Sequence, residues 1–126
     1  VNATLSAPTQ TAQWSETVKA SPVLLFKYSA LTFNGHRIHY DRDFCKNIFG
    51  FPGLVVHGPL IATLLVELIR KNMADTKVLE YSFRAKGPIF DFQTFKIEGR
   101  QEGDIVSLWA LNDSGFETMT ARAKIR

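Results

Sequence analysis

The chain has 126 residues, of which 45% are hydrophobic and 21% are charged, and its formal net charge at pH 7 is +3. These values are typical of one soluble globular domain. The Lys and Arg residues are scattered rather than clustered, which argues against nucleic-acid binding and leaves a small anionic ligand open. No apolar run reaches the ~18 residues of a membrane-spanning helix, and no signal-peptide pattern opens the chain.

Cys45 is the single cysteine of the chain. A lone cysteine excludes an intramolecular disulfide and suits a reducing compartment, so we expect a cytoplasmic location. Its thiol is either a nucleophile or a small apolar packing group, and packing is the expectation because free cysteine is usually buried.

The first part of the chain predicts a leader, a strand and a helix. Residues 1–12 are small and polar without periodicity, which predicts a flexible leader or linker remnant ahead of a single domain at residues 13–126. The weak alternation of Trp14–Ala20 predicts a short strand. Ser21-Pro22 predicts a helix start, because a hydroxyl residue can cap and proline suits the first helical position, and the apolar run Val23–Leu31 follows.

Two further helices are predicted in the middle of the chain. The first is short and covers Asp41–Phe49. The second runs over about Pro59–Met73, with apolar residues around nearly its whole circumference and charge only at Glu67, Arg70 and Lys71. A helix that is apolar on nearly all sides is wrapped by other structure.

After this helix the pattern is one of strands. Val78–Ala85 alternates apolar and polar residues, the signature of a half-buried strand. Further strands are predicted at Phe92–Glu98 and Ile105–Leu111, joined by a turn at GRQEGD, and at Phe116–Ile125 after the turn signal Asn112–Gly115. A long buried helix followed by an antiparallel meander predicts an α+β architecture with the sheet wrapped around the helix, the layout of a hot-dog fold. One such sheet leaves a strand edge uncovered, so pairing with a second copy or partner is expected.

The stretch TFNGHRIHYD at residues 32–41 places His36, His39 and Asp41 between two apolar segments. A zinc site needs at least three protein ligands, and His57 is the only other histidine. The chain has neither a cysteine pair nor a His-Glu-x-x-His helix, so no metal is expected. A polar turn whose histidines bond only to backbone carbonyls is the alternative to a catalytic loop.

A second polar segment, Val55–Pro59, places Gly58 at the start of the buried helix. The first amides of a helix lack internal partners and carry the positive end of its dipole, so they can bind an oxyanion. Glycine does not block a ligand carbonyl, and a donor at an enolate-like thioester oxygen can stabilise it by about 3–4 kcal/mol. A histidine-bearing loop over this helix end would supply the acid or base.

The two segments FNGHRIHYD and VVHGPL together resemble the active-site pattern of the MaoC-like dehydratases, the R-specific enoyl-CoA hydratases. Their usual pattern is Gly-Asp-x-Asn-Pro-(aliphatic)-His, followed by (aliphatic)-Val-His-Gly at the hot-dog helix. The spelling SALTFNGHRIHYDRDF with FPGLVVHGP resembles most closely the C-terminal half of two-domain 3-hydroxyacyl-thioester dehydratases and mesaconyl- or itaconyl-CoA hydratases. The resemblance implies an acyl-CoA substrate, no resident cofactor, and a homodimer, a higher assembly or a partner N-terminal hot-dog domain.

The resemblance also implies roles for individual residues. The family's catalytic histidine corresponds to His39, and the glycine whose N–H polarises the thioester carbonyl corresponds to Gly58. The family's catalytic aspartate falls on Asn34, and its Asn-Pro pair becomes His36-Arg37. An amide can accept a hydrogen bond from water but cannot take a proton at neutral pH, so we expect His39 to transfer protons and Asn34 to orient water.

Other side chains near the motif have two interpretations each. Arg37 binds a carboxylate or phosphate of the ligand, or it pairs with Asp41 or Asp43. His57 and His36 are candidate substrate-binding residues beside Gly58 and Arg37, and His57 is otherwise expected to cap or brace the loop. Three aromatic side chains either line an acyl tunnel or pack inside the domain, namely Phe33, Tyr40 and Phe49.

The function predicted from these features is reversible hydration of a trans-2-enoyl-CoA to a 3-hydroxyacyl-CoA. Thioester hydrolysis is an alternative on the same fold, but it needs a carboxylate on the central helix, and Glu67 lies deep along that helix. A further alternative is a non-catalytic acyl-CoA-binding half of a larger dehydratase. The site, and not the fold, distinguishes these functions.

Overall fold

The computed structural model describes residues 4–126. The helices are α1 (Pro22–Thr32), α2 (Arg42–Phe44, continued by a π-helical turn at Cys45–Phe49) and α3 (Gly58–Asn72), with a 3₁₀ turn at Arg37–His39. The strands are β1 (Trp14–Lys19), β2 (Val78–Ala85), β3 (Thr94–Glu102), β4 (Ile105–Leu111) and β5 (Glu117–Ile125). The predicted helices and strands are present, with boundaries that mostly shift by one or two residues.

The strands form one antiparallel sheet in the order β1-β3-β4-β5-β2. Alternate residues of β3, β4 and β5 face α3, because a strand turns successive side chains to opposite faces. On α3 the buried side chains are Leu60, Ile61, Ala62, Leu65, Leu68 and Ile69. This confirms the α+β hot-dog architecture, with the sheet packed on a buried central helix. No helix within residues 4–126 is long and apolar enough to cross a membrane.

The prediction for β3 was wrong at both ends. β3 starts at Thr94 and continues to Glu102, so most of the segment GRQEGD belongs to the strand and not to a turn. The chain reverses at Gly103-Asp104, where Gly103 has a φ of 63°, and Glu102 pairs with Ile105. The polar residues before the turn are strand residues at the exposed end of the sheet.

Local sequence signals set both ends of α1. The Ser21 hydroxyl accepts a hydrogen bond from the Leu24 N–H at 3.1 Å, and Pro22 occupies the first helical position, as predicted. At the other end Phe33 adopts the left-handed conformation with a φ of 51°, which is strained for a residue other than glycine.

Residues 4–12 contact the sheet. The Ser6 carbonyl accepts from the Glu117 N–H at 2.8 Å, and the Thr11 carbonyl accepts from the Arg100 guanidinium at 3.3 Å. A flexible leader was predicted at residues 1–12. Its described part is hydrogen bonded at these positions, and its first three residues lie outside the described range.

Asp91 anchors the loop that leads into α3. Its carboxylate is 2% exposed, lies 2.7 Å from the Arg42 guanidinium and accepts from the Leu54 N–H at 3.0 Å. The backbone of Gly53 approaches so closely that a Cβ atom there would lie 2.7 Å from Asp91 Oδ1. One buried carboxylate therefore joins α2 to the segment that precedes the central helix.

We predict that Asp91→Ala lowers the free energy of unfolding by about 1–3 kcal/mol, because the buried Leu54 N–H and the Arg42 guanidinium both lose their acceptor. Urea denaturation followed by circular dichroism measures the change. Asp75→Ala, at an exposed position, is the control and is expected to change stability by less than about 0.5 kcal/mol. Equal stability of the two variants would contradict this role of Asp91.

Candidate active site

The loop after α1 is shaped by the side chain of Asn34. Its Oδ1 accepts a hydrogen bond from the His36 N–H at 3.1 Å, which forms a local turn before the 3₁₀ turn Arg37–His39. A backbone N–H can only donate, so the atom that faces it must be the amide oxygen. The oxygen that we expected to orient water is thus engaged by the backbone, while the amide nitrogen points away from this bond.

His39 is held in one tautomer. Its Nδ1 lies 2.6 Å from the Val55 carbonyl oxygen, and a carbonyl only accepts, so Nδ1 carries the proton and Nε2 has a free lone pair. His39 is buried, and this burial lowers its pKa below the usual 6.5, assisted by the nearby His36, although the hydrogen bond to Val55 opposes the shift. His39 is therefore neutral at pH 7 and can accept a proton at Nε2.

The ring of His57 packs against the ring of His39. The two rings are stacked with centroids 3.7 Å apart and an interplanar angle of 18°, and His57 Nε2 lies 2.8 Å from the Ser29 hydroxyl of α1. Tyr28 contacts the same ring edge-on at 4.7 Å. His57 occupies the position before α3 without a side-chain hydrogen bond to the helix amides, so of the two expected roles the contacts support bracing.

Gly58 is the first residue of α3, so its N–H precedes the helical hydrogen-bond ladder at the positive end of the dipole. A Cβ atom at Gly58 would meet only the Met119 side chain, at 3.7 Å, which is an ordinary contact. Crowding inside the fold therefore does not require glycine here. The absence of a side chain at Gly58 would instead let a ligand approach this N–H.

Arg37 and His36 lie at the surface of the loop. Arg37 forms an ion pair with Asp41 at 3.0 Å and lies 4.0 Å above the Phe44 ring, so the pairing alternative is confirmed. His36 is exposed, with its ring 5.7 Å from that of His39. Neither side chain lines the cleft described below.

An open, apolar cleft of about 450 Å³ lies beside α1, and neither of the two stacked histidines is among its lining residues. It is lined by Phe26, Ser29, Ala30, Phe33, Asn34, Gly35 and Tyr40. We call it the α1 cleft. Phe33 and Tyr40 line this open cleft and are exposed, so they do not pack inside the domain, whereas Phe49 stacks on Phe51 at 5.2 Å. Sequence reasoning missed Ser29, although a small hydroxyl side chain within an apolar run was a usable signal.

Two other groups with potential chemistry lie elsewhere. The Cys45 thiol is fully buried, donates to the Ile38 carbonyl at 3.2 Å and has its pKa raised by burial, so it packs as expected and is not a thiolate. Glu67 pairs with Arg70 on the surface of α3 and does not line the α1 cleft. In residues 4–126 no group of three His, Cys, Asp or Glu side chains is placed to hold a metal ion.

Burial and the proximity of His39 lower the pKa of His57 to about 4. The unfolded chain therefore binds more protons than the folded protein between pH 6.5 and 4, so stability should fall as the pH falls through this window, by on the order of 3 kcal/mol. Denaturant unfolding at several pH values measures this loss. A His57→Phe variant keeps a ring in the stack but cannot titrate, so its stability should depend less on pH. Identical pH dependence in both proteins would contradict the assignment.

Comparison with known proteins gives consistent matches. The family model described as hydroxyacyl-thioester dehydratase type 2 matches residues 2–91. Mesaconyl-C(4)-CoA hydratase of Chloroflexus aurantiacus is 44% identical over 111 residues, which cover 88% of this chain and 39% of that protein. The mitochondrial hydroxyacyl-thioester dehydratase type 2 of Schizosaccharomyces pombe is 31% identical over 87 residues, 68% of this chain and 29% of that protein.

Among solved structures, a MaoC-like dehydratase from Phytophthora capsici superposes with a TM-score of 0.82 at 19% identity, covering 97% of this chain and 43% of that chain. This likeness supports the fold. The chain spans less than two-fifths of the length of the two relatives above. The resemblance that the motifs predicted is confirmed, and the chain belongs to the hydroxyacyl-thioester dehydratase type 2 family.

Proposed function

We propose that the chain is the chemical unit of a hydratase that adds water reversibly to a trans-2-enoyl-CoA and forms a 3-hydroxyacyl-CoA. One observation carries the proposal. His39 is buried and neutral, its Nδ1 is hydrogen bonded to Val55, and its Nε2 is left to accept a proton near the start of α3 at Gly58. The relative that is 44% identical over 111 aligned residues is named as a hydratase of a CoA thioester, which supports the same reaction.

In the hydration direction, His39 Nε2 accepts a proton from a water molecule while the water oxygen attacks the β-carbon. The electron pair of the carbon–carbon double bond moves towards the thioester carbonyl, whose oxygen gains negative charge and accepts from the Gly58 N–H. The protonated His39 then returns the proton to the α-carbon, so one water molecule is added in total. Dehydration follows the same steps in reverse.

His39 must be neutral to begin the hydration step. Its pKa, lowered mainly by burial, keeps it neutral at pH 7. We propose that no resident metal or redox cofactor takes part and that CoA enters only as part of the substrate. The buried thiol of Cys45 is compatible with the cytoplasmic location that we propose.

A second hot-dog unit is part of the proposal. Strand β2 lies at one edge of the sheet, and its Phe83 side chain is 50% exposed. An apolar edge strand presents unpaired backbone groups to a partner, and a symmetric pair would join two such edges. The partner at the edge of β2 is a second copy of this chain or the other half of a longer protein.

We predict that His39→Ala lowers kcat/KM for crotonyl-CoA by about 100-fold or more, since the residue that moves the proton is lost. The decrease of the conjugated-thioester absorbance measures the rate, and circular dichroism verifies that the variant is folded. A folded variant with the wild-type rate would exclude His39 as the base.

We predict that Phe83→Lys shifts the protein from dimer towards monomer in light scattering, because it removes the exposed apolar side chain that the pairing would bury. Ser82→Lys, on the neighbouring exposed residue of the same strand, is the matched control for added charge. If both variants leave the mass unchanged, the pairing surface lies elsewhere.

A further inference from the structure

The face of the sheet that points away from α3 is the outer face, and the register of β2 and β5 decides which residues lie on it. The Tyr81 hydroxyl donates to a backbone carbonyl of α3 at 2.6 Å, so Tyr81 lies on the inner face. Ser82 and Arg84 follow one and three positions further along β2 and therefore lie on the outer face. Arg122 and Thr120 are directly opposite these two residues in the antiparallel pair, so they share that face.

Two arginines on the outer face have no ionic partner. Arg84 and Arg122 are diagonal neighbours, because Arg84 pairs with Thr120 and Arg122 follows two residues later on β5. Residues in such a diagonal pair are about 7–8 Å apart, within reach of long side chains. Both arginines are exposed, and neither forms an ion pair with any residue from 4 to 126. Arg100 on β3 differs, since it pairs with Glu102 at 3.0 Å.

The acidic side chains beside the two arginines have cations of their own. Glu117 lines the same cavity as the arginines, but its carboxylate lies 3.2 Å from the Lys86 ammonium. Glu80 on β2 lies directly opposite Lys124 on β5. The positive charges of the two arginines are therefore left without compensation on this part of the sheet.

Three hydroxyl side chains surround the two guanidinium groups. Ser107 on β4 lies opposite Arg122 and so extends the outer face by one strand. Ser82, Ser107 and Thr120 line one cavity together with both arginines. In the part of the chain that the structure describes, none of the three hydroxyl groups has a hydrogen-bond partner. Each can donate to an anion held by the arginines. We call these five residues the outer-face site.

The segment before β1 turns this part of the sheet into a cavity. The segment is hydrogen bonded to β5 at Ser6 and to β3 at Gln13, each at 2.8 Å. Between these two points Thr9 and Gln10 line the cavity and give it a wall that a bare sheet face lacks. The volume of about 280 Å³ is near the lower end of the range for small-molecule sites, ~300–1,000 Å³. The cavity therefore suits a small charged group.

We propose that the outer-face site binds a phosphate monoester group of a small-molecule ligand. Such a group carries a charge of about −1.5 to −2 at pH 7 and has three acceptor oxygens. These properties match two guanidinium groups and the hydroxyl donors around them. A carboxylate has one charge and two oxygens, so it would leave one arginine without a partner.

The outer-face site is separate from the site of His39. It lies on the face of the sheet opposite α3, whereas His39 stacks on His57 at the start of α3. Pairing of a second unit with the edge of β2 would use the backbone of that strand and leave the outer face open. The inference therefore does not depend on the proposed hydratase reaction.

The first test titrates isotope-labelled protein with inorganic phosphate at constant ionic strength and follows amide chemical shifts by NMR. The signals of Arg84, Thr120 and Arg122 are expected to move saturably. Arg84→Gln and Arg122→Gln should each raise the dissociation constant by about 5- to 10-fold, since each removes one charged donor from a partly exposed site. Arg126→Gln is the matched control, because Arg126 is exposed, forms no printed side-chain contact in the described chain and lies outside the cavity, so its constant should stay unchanged.

Two further titrations define the ligand. Acetate should bind at least about 5-fold more weakly than phosphate, and equal affinity would overturn the assignment to phosphate. Coenzyme A and dephospho-coenzyme A differ in one phosphate monoester. Tighter binding of coenzyme A that is lost in Arg84→Gln identifies this monoester as the ligand group, whereas equal binding of the two assigns the site to a separate phosphorylated compound.

The variants are expected to fold, because the replaced side chains are exposed, and circular dichroism verifies this. Absence of saturable shifts in the wild type overturns the proposal. The same dissociation constant for Arg84→Gln, Arg122→Gln and Arg126→Gln also overturns it, because binding would then reflect the general positive charge of the protein.

Discussion

The stacked pair of His39 and His57 is the contact on which the site depends. Two imidazolium cations with centroids 3.7 Å apart would repel each other, so the stack requires that at least one ring remain neutral. Burial ensures this, because His57 is closed off from solvent between Ser29, Tyr28 and the start of α3. The pair also connects three segments that are distant in the sequence, since His39 lies on the loop, Ser29 on α1 and His57 just before α3.

Hydrophobic periodicity was sufficient to predict most of the fold. The apolar pattern of α3 is strong because burial of one helix face leaves a regular trace, although Thr63, Arg70 and Lys71 are exposed and the helix is not covered on all sides. The expectation that β2 is half-buried was wrong, since only Tyr81 of this strand is even partly buried. The end of β3 was missed because Arg100–Glu102 is polar and none of these three residues is buried. At such a position the chain needs no apolar residues, and a strand resembles a turn in composition.

The site was predictable where a residue's role follows from its place on an element. His39 stacks on His57, the residue before Gly58 at the start of the central helix. The orientation of the Asn34 amide was not predictable, since it depends on the left-handed Phe33 and on a backbone N–H of His36. The pairing of Arg37 with Asp41 has the spacing of neighbours on one helical face, and that spacing favours the pairing over ligand binding.

The close approach of Gly53 to Asp91 has a consequence for related sequences. A side chain at Gly53 would occupy space that the Asp91 carboxylate already fills, since the built Cβ lies 2.7 Å from Oδ1. A residue larger than glycine at position 53 is compatible only with a residue smaller than aspartate at position 91. Arg42 would then lose the carboxylate with which it pairs. The three positions should therefore vary together among homologues, as a correlated set that ties the entrance of α3 to α2.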